Sequence, residues 1–382
     1  MVKRITTNIH HDIDDFATLE IAWKALYRKN PFRTIFLSWE WNYLWWKLFQ
    51  LKSDKNTDSL MLISAWDGNT LIGIMPLYAL HTQLGTREVR FLGTHRQVER
   101  DLYSEYLGIL EDPQHMPFVG ECIFDQLIKF FPKKLPAMQL SRMNYPDNGL
   151  HKIHEYLGHG KTSSDRTWIA SLEGGFDNYL ISLSPTRRAR FKRLLRSAEN
   201  LKARLIFPES PQQKRRLLRW LMACHQKDWQ KRGSRGAFHI ERKVHFHETL
   251  IDLLHGSTTS VVAALSIRGR LLYGIYGFLH PDRYEFYQSG NRMREDTACK
   301  SPGILTHLLL MKELSKIGVS QYDFLSGEQR YKRELSSFSR QLHSLNTYEN
   351  SAMGTVTFGI DLMKSLYLKS FRHKISSIAQ VR

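Results

Sequence analysis

A carboxylic acid, a phenol and an amine fall close together late in the chain. Asp323 lies in the run Tyr322-Asp323-Phe324-Leu325, and Tyr331 and Lys332 follow in the charged stretch after Gly327. Upstream, Lys300-Ser301-Pro302-Gly303 opens a helical pattern in which Leu305, Leu308, Leu309, Met311, Leu314 and Ile317 recur until Gly318. Ser301 suits an N-cap and Pro302 the first helical position, and Gly318 supplies the stop. Before the helix, Tyr284, Phe286 and Tyr287 belong to a β-rich run ending at Gly290. Two strands joined through a helix are expected to be parallel neighbours, and the helix start between them aims unpaired N–H groups at the sheet edge. Such a start binds anions. The matching ligand is a pyrophosphate such as that of coenzyme A, with an acidic or phenolic side chain on the next strand near the transferred group. The same spacing also describes an ordinary β-α-β unit with a well-capped helix.

Two other constellations could take part. A helix opening at Ser184-Pro185 carries Arg187, Arg188, Arg190, Lys192, Arg193 and Arg196 beside Phe191, Leu194 and Leu195. Like charges three and four apart repel unless something negative lies opposite. The pattern fits contact with a phosphorylated or otherwise anionic substrate or with RNA, and equally a solvated basic face with an apolar stripe. Leu217 to Lys231 reads as a helix with His225 and Trp229 on one face, followed by a loop from Gly233 to Gly236. An imidazole near neutral pKa can accept a proton from a hydroxyl or amine, although a lone helical histidine is also a common structural residue.

The elements that must position these residues come in two similar sets. Leu60 to Trp66 and Leu71 to Leu80 form a hairpin around Asp67-Gly68-Asn69, and Ile267 to Ile275 answers Trp66 to Ile74 position by position. Each hairpin leads to an aromatic strand ending in Gly93 or Gly290, then to a polar stretch with Asp101 or Asp296, then to Gly-Ile-Leu at Gly108 or Gly303. A helix and a short strand close each set: Phe118 to Phe131 with Met138 to Ser141, and Ile304 to Ile317 with Tyr322 to Leu325. This order predicts an internal duplication into two α/β domains. In the first copy Glu111 and Asp112 would repel a pyrophosphate that Lys300 attracts in the second, so the cofactor is expected in the second domain.

Phe16 to Tyr27 reads as an amphipathic helix, and Ser38 caps another whose Trp39, Trp41, Tyr43, Trp45 and Trp46 are expected to be core rather than a stacking platform. The domain boundary is expected between Asn144 and Arg166, where Pro, Gly and Ser collect. Gly160-Lys161-Thr162 lacks the leading glycine and apolar strand of a P-loop, and His154-Glu155 with His159 has the wrong spacing for a zinc helix. Both are read as linker. Beyond Thr347 a basic amphipathic helix is expected to pack on the second domain, or to touch an anionic membrane surface.

Fifty-five Lys and Arg against 37 Asp and Glu give a formal charge of +18, which favours an anionic partner: a phosphate-bearing cofactor, nucleic acid or an anionic membrane. Cys122, Cys224 and Cys299 are far apart, which fits neither a disulfide framework nor a zinc site, so no metal is expected. The N-terminus has no apolar h-region, and no uncharged apolar run reaches the roughly 18 residues of a membrane helix. A cytoplasmic protein is expected. No Gly-x-Ser-x-Gly elbow occurs, so direct attack is expected rather than a covalent enzyme intermediate.

The pattern SPG, helix, Gly, YDFLSGE, YK resembles acyltransferases of the CelD type from cellulose biosynthesis, within the GNAT superfamily and distantly related to Fem peptidyltransferases. FLSWEWNYLWW, WDGNTLIGIMPLY, RFLGTHRQVERDLYSEYLGIL and HQKDWQKRGSRGAFH add to the likeness, which runs from about residue 20 to about residue 345. The resemblance implies mixed α/β sheets in two tandem GNAT-like domains, 1–160 and 161–350, with 351–382 as the terminal helix. It implies transfer of an acetyl or other acyl group from acyl-CoA to a hydroxyl or amine, on a sugar or a polysaccharide or envelope precursor. Under it, Asp323 is the first choice of base and His225 the second, Tyr331 donates to the thiolate, and Lys332 offsets negative charge. Lys300, Ser301, Pro302 and Gly303 hold the pyrophosphate, while Asp101, Trp229, Arg187 and Arg190 line the acceptor side. The R/Q-x-x-G-x-G/A loop of ordinary GNAT enzymes is missing. Two alternatives go with the resemblance: a Fem-like aminoacyltransferase using charged tRNA, and a non-catalytic scaffold of a polysaccharide-synthesis system. No DNA partner is expected, and contact with the inner membrane would be peripheral.

Overall fold

The computed structural model describes residues 5–51, 58–81, 87–116, 118–131, 136–144, 160–254, 258–292 and 299–348. The expected terminal helix, together with His154, Glu155, His159 and Asp296, lies outside them.

The first lobe runs β1 (Ile5–His10), α1 (Ile13–Thr18), α2 (Glu20–Lys29), α3 (Trp39–Phe49), β2 (Ser59–Asp67), β3 (Thr70–His81), β4 (Arg87–Phe91), β5 (Leu110–Glu111), α4 (Phe118–Phe130) and β6 (Ala137–Asn144). The second runs β7 (Gly160–Ser171), α5 (Phe176–Ser182), α6 (Pro185–Asn200), β8 (Arg204–Ile206), α7 (Pro211–Lys231), α8 (Glu241–Leu253), β9 (Thr259–Ile267) and β10 (Arg270–Leu279). It continues with β11 (Arg283–Asn291), α9 (Pro302–Lys316), β12 (Gln321–Ser326), α10 (Arg330–Leu335) and β13 (Phe338–Thr347).

Sheet pairing bears out the duplication. β2–β3 and β3–β4 are antiparallel and β4–β6 is parallel, and β9–β10, β10–β11 and β11–β12 repeat the same three relations. The architecture is therefore mixed α/β in two tandem copies. One equivalence fails. Gly303-Ile304-Leu305 enters α9, whereas Ile109 and Leu110 lead into β5, which adds to β3, and α4 begins only at Phe118.

The copies share one sheet, ordered β1-β2-β3-β4-β6-β13-β7-β12-β11-β10-β9-β8 among the described strands. The strand after each copy pairs with the other: β13 lies against β6, and β7 against β12. β13 and β7 pair along ten residues, from Phe338↔Ile169 to Thr347↔Gly160. Residues 160–166, expected as linker, are thus a central strand. Thr162 to Asp165 expose their side chains, so backbone hydrogen bonds rather than apolar alternation hold this end of β7.

The indoles are core, as expected. Trp23, Trp41 and Trp45 are fully buried, and their N–H groups donate to Leu37 O, Ser104 Oγ and Arg100 O at 2.9, 3.0 and 2.9 Å. Buried indoles keep such partners because an unpaired N–H is costly. Ser38 caps α3 by accepting from the Trp41 N–H at 3.2 Å. Gly318 stops α9 with φ +88°, a conformation other residues resist.

Candidate active site

β11 and β12 pair only from Arg283 to Glu285 and from Gln321 to Asp323. Beyond that point β11 stays with β10, while β12 breaks register against β7 with Leu325 at φ +59°. A fork opens between the two strands. Opposite it, the register shift of β10 leaves Tyr287 as the extra residue of a β-bulge, and its hydroxyl donates to Leu102 O in the first lobe at 2.9 Å.

One face of the fork meets the loop that follows β4. The Tyr106 hydroxyl bonds Asp323 Oδ2 and lies 2.9 Å from Thr167 Oγ1, while the Leu325 N–H donates to Asp323 Oδ1 at 2.7 Å. Glu105 accepts from the Ser326 N–H at 2.8 Å and its hydroxyl at 2.6 Å, and the Lys332 ammonium donates to Ser326 O. Asp323, Glu105, Tyr106 and Lys332 are all buried. Burial pushes the carboxyls of Asp323 and Glu105 up, and it pushes Lys332 down to about 8 against the opposing pull of Glu105 and Asp323. A network in which carboxyls rise and an amine falls can move protons near neutral pH. Tyr103, Tyr106 and Arg142 all have φ of +53°, so left-handed non-glycine backbone gathers at this junction.

The other face carries α9. Ser301 occupies the N-cap position, yet its hydroxyl makes no cap bond, contrary to the expected capping. Lys300 is exposed, Ser301, Pro302 and Gly303 are partly buried, and a Cβ on Gly303 would sit 3.1 Å from the Tyr273 ring. Inside the first turns, buried His307 stacks on the Tyr331 ring at 5.4 Å, with Nδ1 2.8 Å from the Tyr322 hydroxyl. The charged stretch after Gly327 is wound into α10 from Arg330 on, which carries Tyr331 and Lys332.

The remaining expected residues lie around this centre. Gly290 lets α7 cross β11 in close contact, since a Cβ there would fall 2.1 Å from Leu221 O. The crossing brings His225 Nδ1 to 3.0 Å from Ser289 O. Burial pushes His225 down to about 4, so its ring is neutral at pH 7. Trp229 lies beside that ring and under the Arg232 guanidinium. Asp101 Oδ1 accepts from the Tyr103 N–H at 3.0 Å, and its carboxylate is 3.6 Å from Arg142. Arg187 and Arg190 face α10: Arg187 donates to Glu334 O at 3.3 Å, and Arg190 pairs with the Glu334 carboxylate at 2.8 Å. Cations at a helix C-terminus satisfy its free carbonyls, so these two arginines hold the helix that carries Tyr331 and Lys332.

Glu105, Tyr106, Thr167 and His307 were missed in the sequence. Glu105 stands in the same polar stretch as Asp101, and a second acid there was the available signal. His307 is a lone imidazole on an apolar helix face. Among the described residues no helix is long and apolar enough to cross a membrane, and no group of side chains could hold a metal ion.

Residues 185–333 match the family model described as an acetyltransferase (GNAT) domain. No curated protein matches the chain. The solved structure of FemX is similar at 10% identity, covering 89% of this chain and 96% of that one, with a TM-score of 0.59. L-PGS from Bacillus licheniformis aligns at 10% identity over 80% of this chain and 88% of its own, TM-score 0.48. A tandem GNAT protein from the clavulanic acid biosynthesis pathway aligns at 11% identity over 90% and 98%, TM-score 0.44. The chain thus has the fold seen in FemX, and residues 185–333 of its second lobe match an acetyltransferase (GNAT) domain.

Proposed function

We propose that the protein transfers an acyl group from acyl-CoA to a hydroxyl or amine, on a saccharide or envelope precursor as in the CelD-type enzymes it resembles. One observation carries this reading: a strand fork in a GNAT domain has an uncapped helix start on one face and a buried carboxyl network on the other. The fit to acyl-CoA rests on the N–H groups of Ser301 and Gly303 at a helix start where Ser301 makes no side-chain cap bond, with exposed Lys300 beside it. Bound there, acyl-CoA would supply an activated acyl group.

Asp323 takes the acceptor's proton through the Tyr106 hydroxyl as the acceptor's lone pair forms the bond to the acyl carbon. The bond from that carbon to sulfur breaks, and Tyr331 gives its proton to the departing thiolate. Burial raises the Tyr331 phenol above its ordinary range, so it holds its proton at neutral pH and is a donor available to the thiolate. Lys332, mostly protonated below about 8, offsets the negative charge that develops. His225 is the second choice of base, and burial, which pushes it down to about 4, leaves its ring neutral at pH 7 and able to accept a proton.

A second reading, aminoacyl transfer from charged tRNA, is favoured by the exposed basic face of Lys192, Arg193 and Arg196. A surface cavity of about 600 Å³ lined by Lys202, Arg204 and Arg268 also supports it. Calorimetric titration with acetyl-CoA, repeated with total tRNA as competitor, separates these readings. Saturable acetyl-CoA binding that tRNA leaves intact supports acyl-CoA transfer, binding of tRNA alone supports the second reading, and binding of neither points to a scaffold.

A further inference from the structure

His307 places an imidazole in the fork. Its ring lies 4.7 Å from Phe286 and 5.2 Å from Phe324, the first residues of β11 and β12 beyond the last paired residues, Glu285 and Asp323. The ring therefore spans the opening where the strands part. It is fully buried, and although Nδ1 is satisfied by the Tyr322 hydroxyl, Nε2 has no partner among the described residues. Burial pushes its pKa down to about 3, so the ring is neutral at pH 7. Nδ1 is the acceptor at hand for the Tyr322 O–H, and with that assignment the ring proton sits on Nε2 as a buried donor without an acceptor among the described residues. Buried donors almost always have one, and an unmatched donor disfavours the fold.

We infer that His307 Nε2 is the contact for the acyl carbonyl oxygen of the donor, which enters the fork between β11 and β12. This rests on the acyl-CoA reading above and names the group that recognises the acyl end. A thioester carries its carbonyl oxygen and its sulfur on one carbon, so the groups serving them must be neighbours. His307 and Tyr331, stacked at 5.4 Å and 17°, are neighbours. An N–H aimed at the carbonyl strengthens its bond as negative charge develops on that oxygen during attack. Coenzyme A without an acyl group lacks the oxygen and gains nothing from this contact.

The test uses calorimetric titration of the full-length protein with acetyl-CoA and with free coenzyme A. In the double variant His307→Phe, Tyr322→Phe the rings remain and neither member of the hydrogen-bonded pair is stranded. The wild type is expected to prefer acetyl-CoA, and the variant to lose about tenfold of that preference with its coenzyme A affinity and melting temperature maintained. If the double variant does not fold, His307→Phe alone is compared in the same way. A wild type that binds both ligands equally, or a variant that keeps the preference, overturns the contact and leaves the acyl-CoA reading standing. A wild type that binds neither ligand removes the acyl-CoA reading itself and this inference with it.

Discussion

Replacing Tyr106 by Phe tests the link between the lobes at its most sensitive point. The ring stays, and only the hydroxyl that bonds Asp323 and approaches Thr167 Oγ1 at 2.9 Å is lost. A hydrogen bond to a buried ionised carboxyl contributes about 1.5–3 kcal/mol, against roughly 0.5–1.5 kcal/mol for a neutral pair. Asp323 would retain the Leu325 N–H at 2.7 Å. Burial already raises Asp323 above its ordinary value and the Tyr106 bond opposes that rise, so the variant's carboxyl should climb further, by about one unit per 1.36 kcal/mol lost. An acid whose folded pKa is raised binds more protons folded than unfolded, so its contribution to stability falls as pH rises through the folded value. The cost of Tyr106→Phe should therefore shrink as acid protonates Asp323, whose carboxyl burial has pushed up. The assay is urea denaturation followed by tryptophan fluorescence, in a double-mutant cycle with Asp323→Asn, run near pH 5 and near pH 8. A coupling energy of about 1.5 kcal/mol or more near pH 8 is expected. Coupling below about 0.5 kcal/mol at both values would refute the reasoning.

Lys332→Met removes an ammonium whose pKa is lowered from 10.5 to about 8. Between these values the unfolded chain binds more protons, so wild-type stability should rise with pH by up to roughly 3 kcal/mol. Denaturation midpoints of the variant should lack this part of the rise, so that the two pH profiles converge or cross between about 8 and 10.5. Gly290→Ala places a Cβ 2.1 Å from Leu221 O and must lift α7 from β11, at a cost of roughly 2–4 kcal/mol readable as a lower urea midpoint. Buried His225, His247 and His307 are held at about 4, 3 and 3. Unfolding takes up protons at all three below their ordinary value of 6.5, so these three should lower stability in acid by up to roughly 4 kcal/mol per pH unit, and His95, held at about 3, adds to the fall. His307→Phe should remove about a third of that slope.

Periodicity and capping chemistry determined much of this protein from sequence alone. The hairpin around Asp67-Gly68-Asn69 and its echo around Arg268-Gly269, the helix capped by Ser38, and the stop at Gly318 each depend on contacts within a few residues. Sequence spacing reports such contacts directly, and the repeated order of elements gave the duplication for the same reason. The shared sheet was decided only by tertiary structure. At one end of β7 the side chains face solvent, so its strand character lies in backbone pairing with β13, whose partner residues lie nearly two hundred positions away. Tertiary structure also exchanged the two strands between copies and thereby placed Thr167 beside Asp323. The candidate site divides in the same way. Asp323, Tyr331 and Lys332 were legible because one strand and one short helix hold them. Glu105 and Tyr106 became partners of Asp323 and Ser326 only when a first-lobe loop, held in left-handed backbone, folded against the second lobe, and no local pattern encodes that approach.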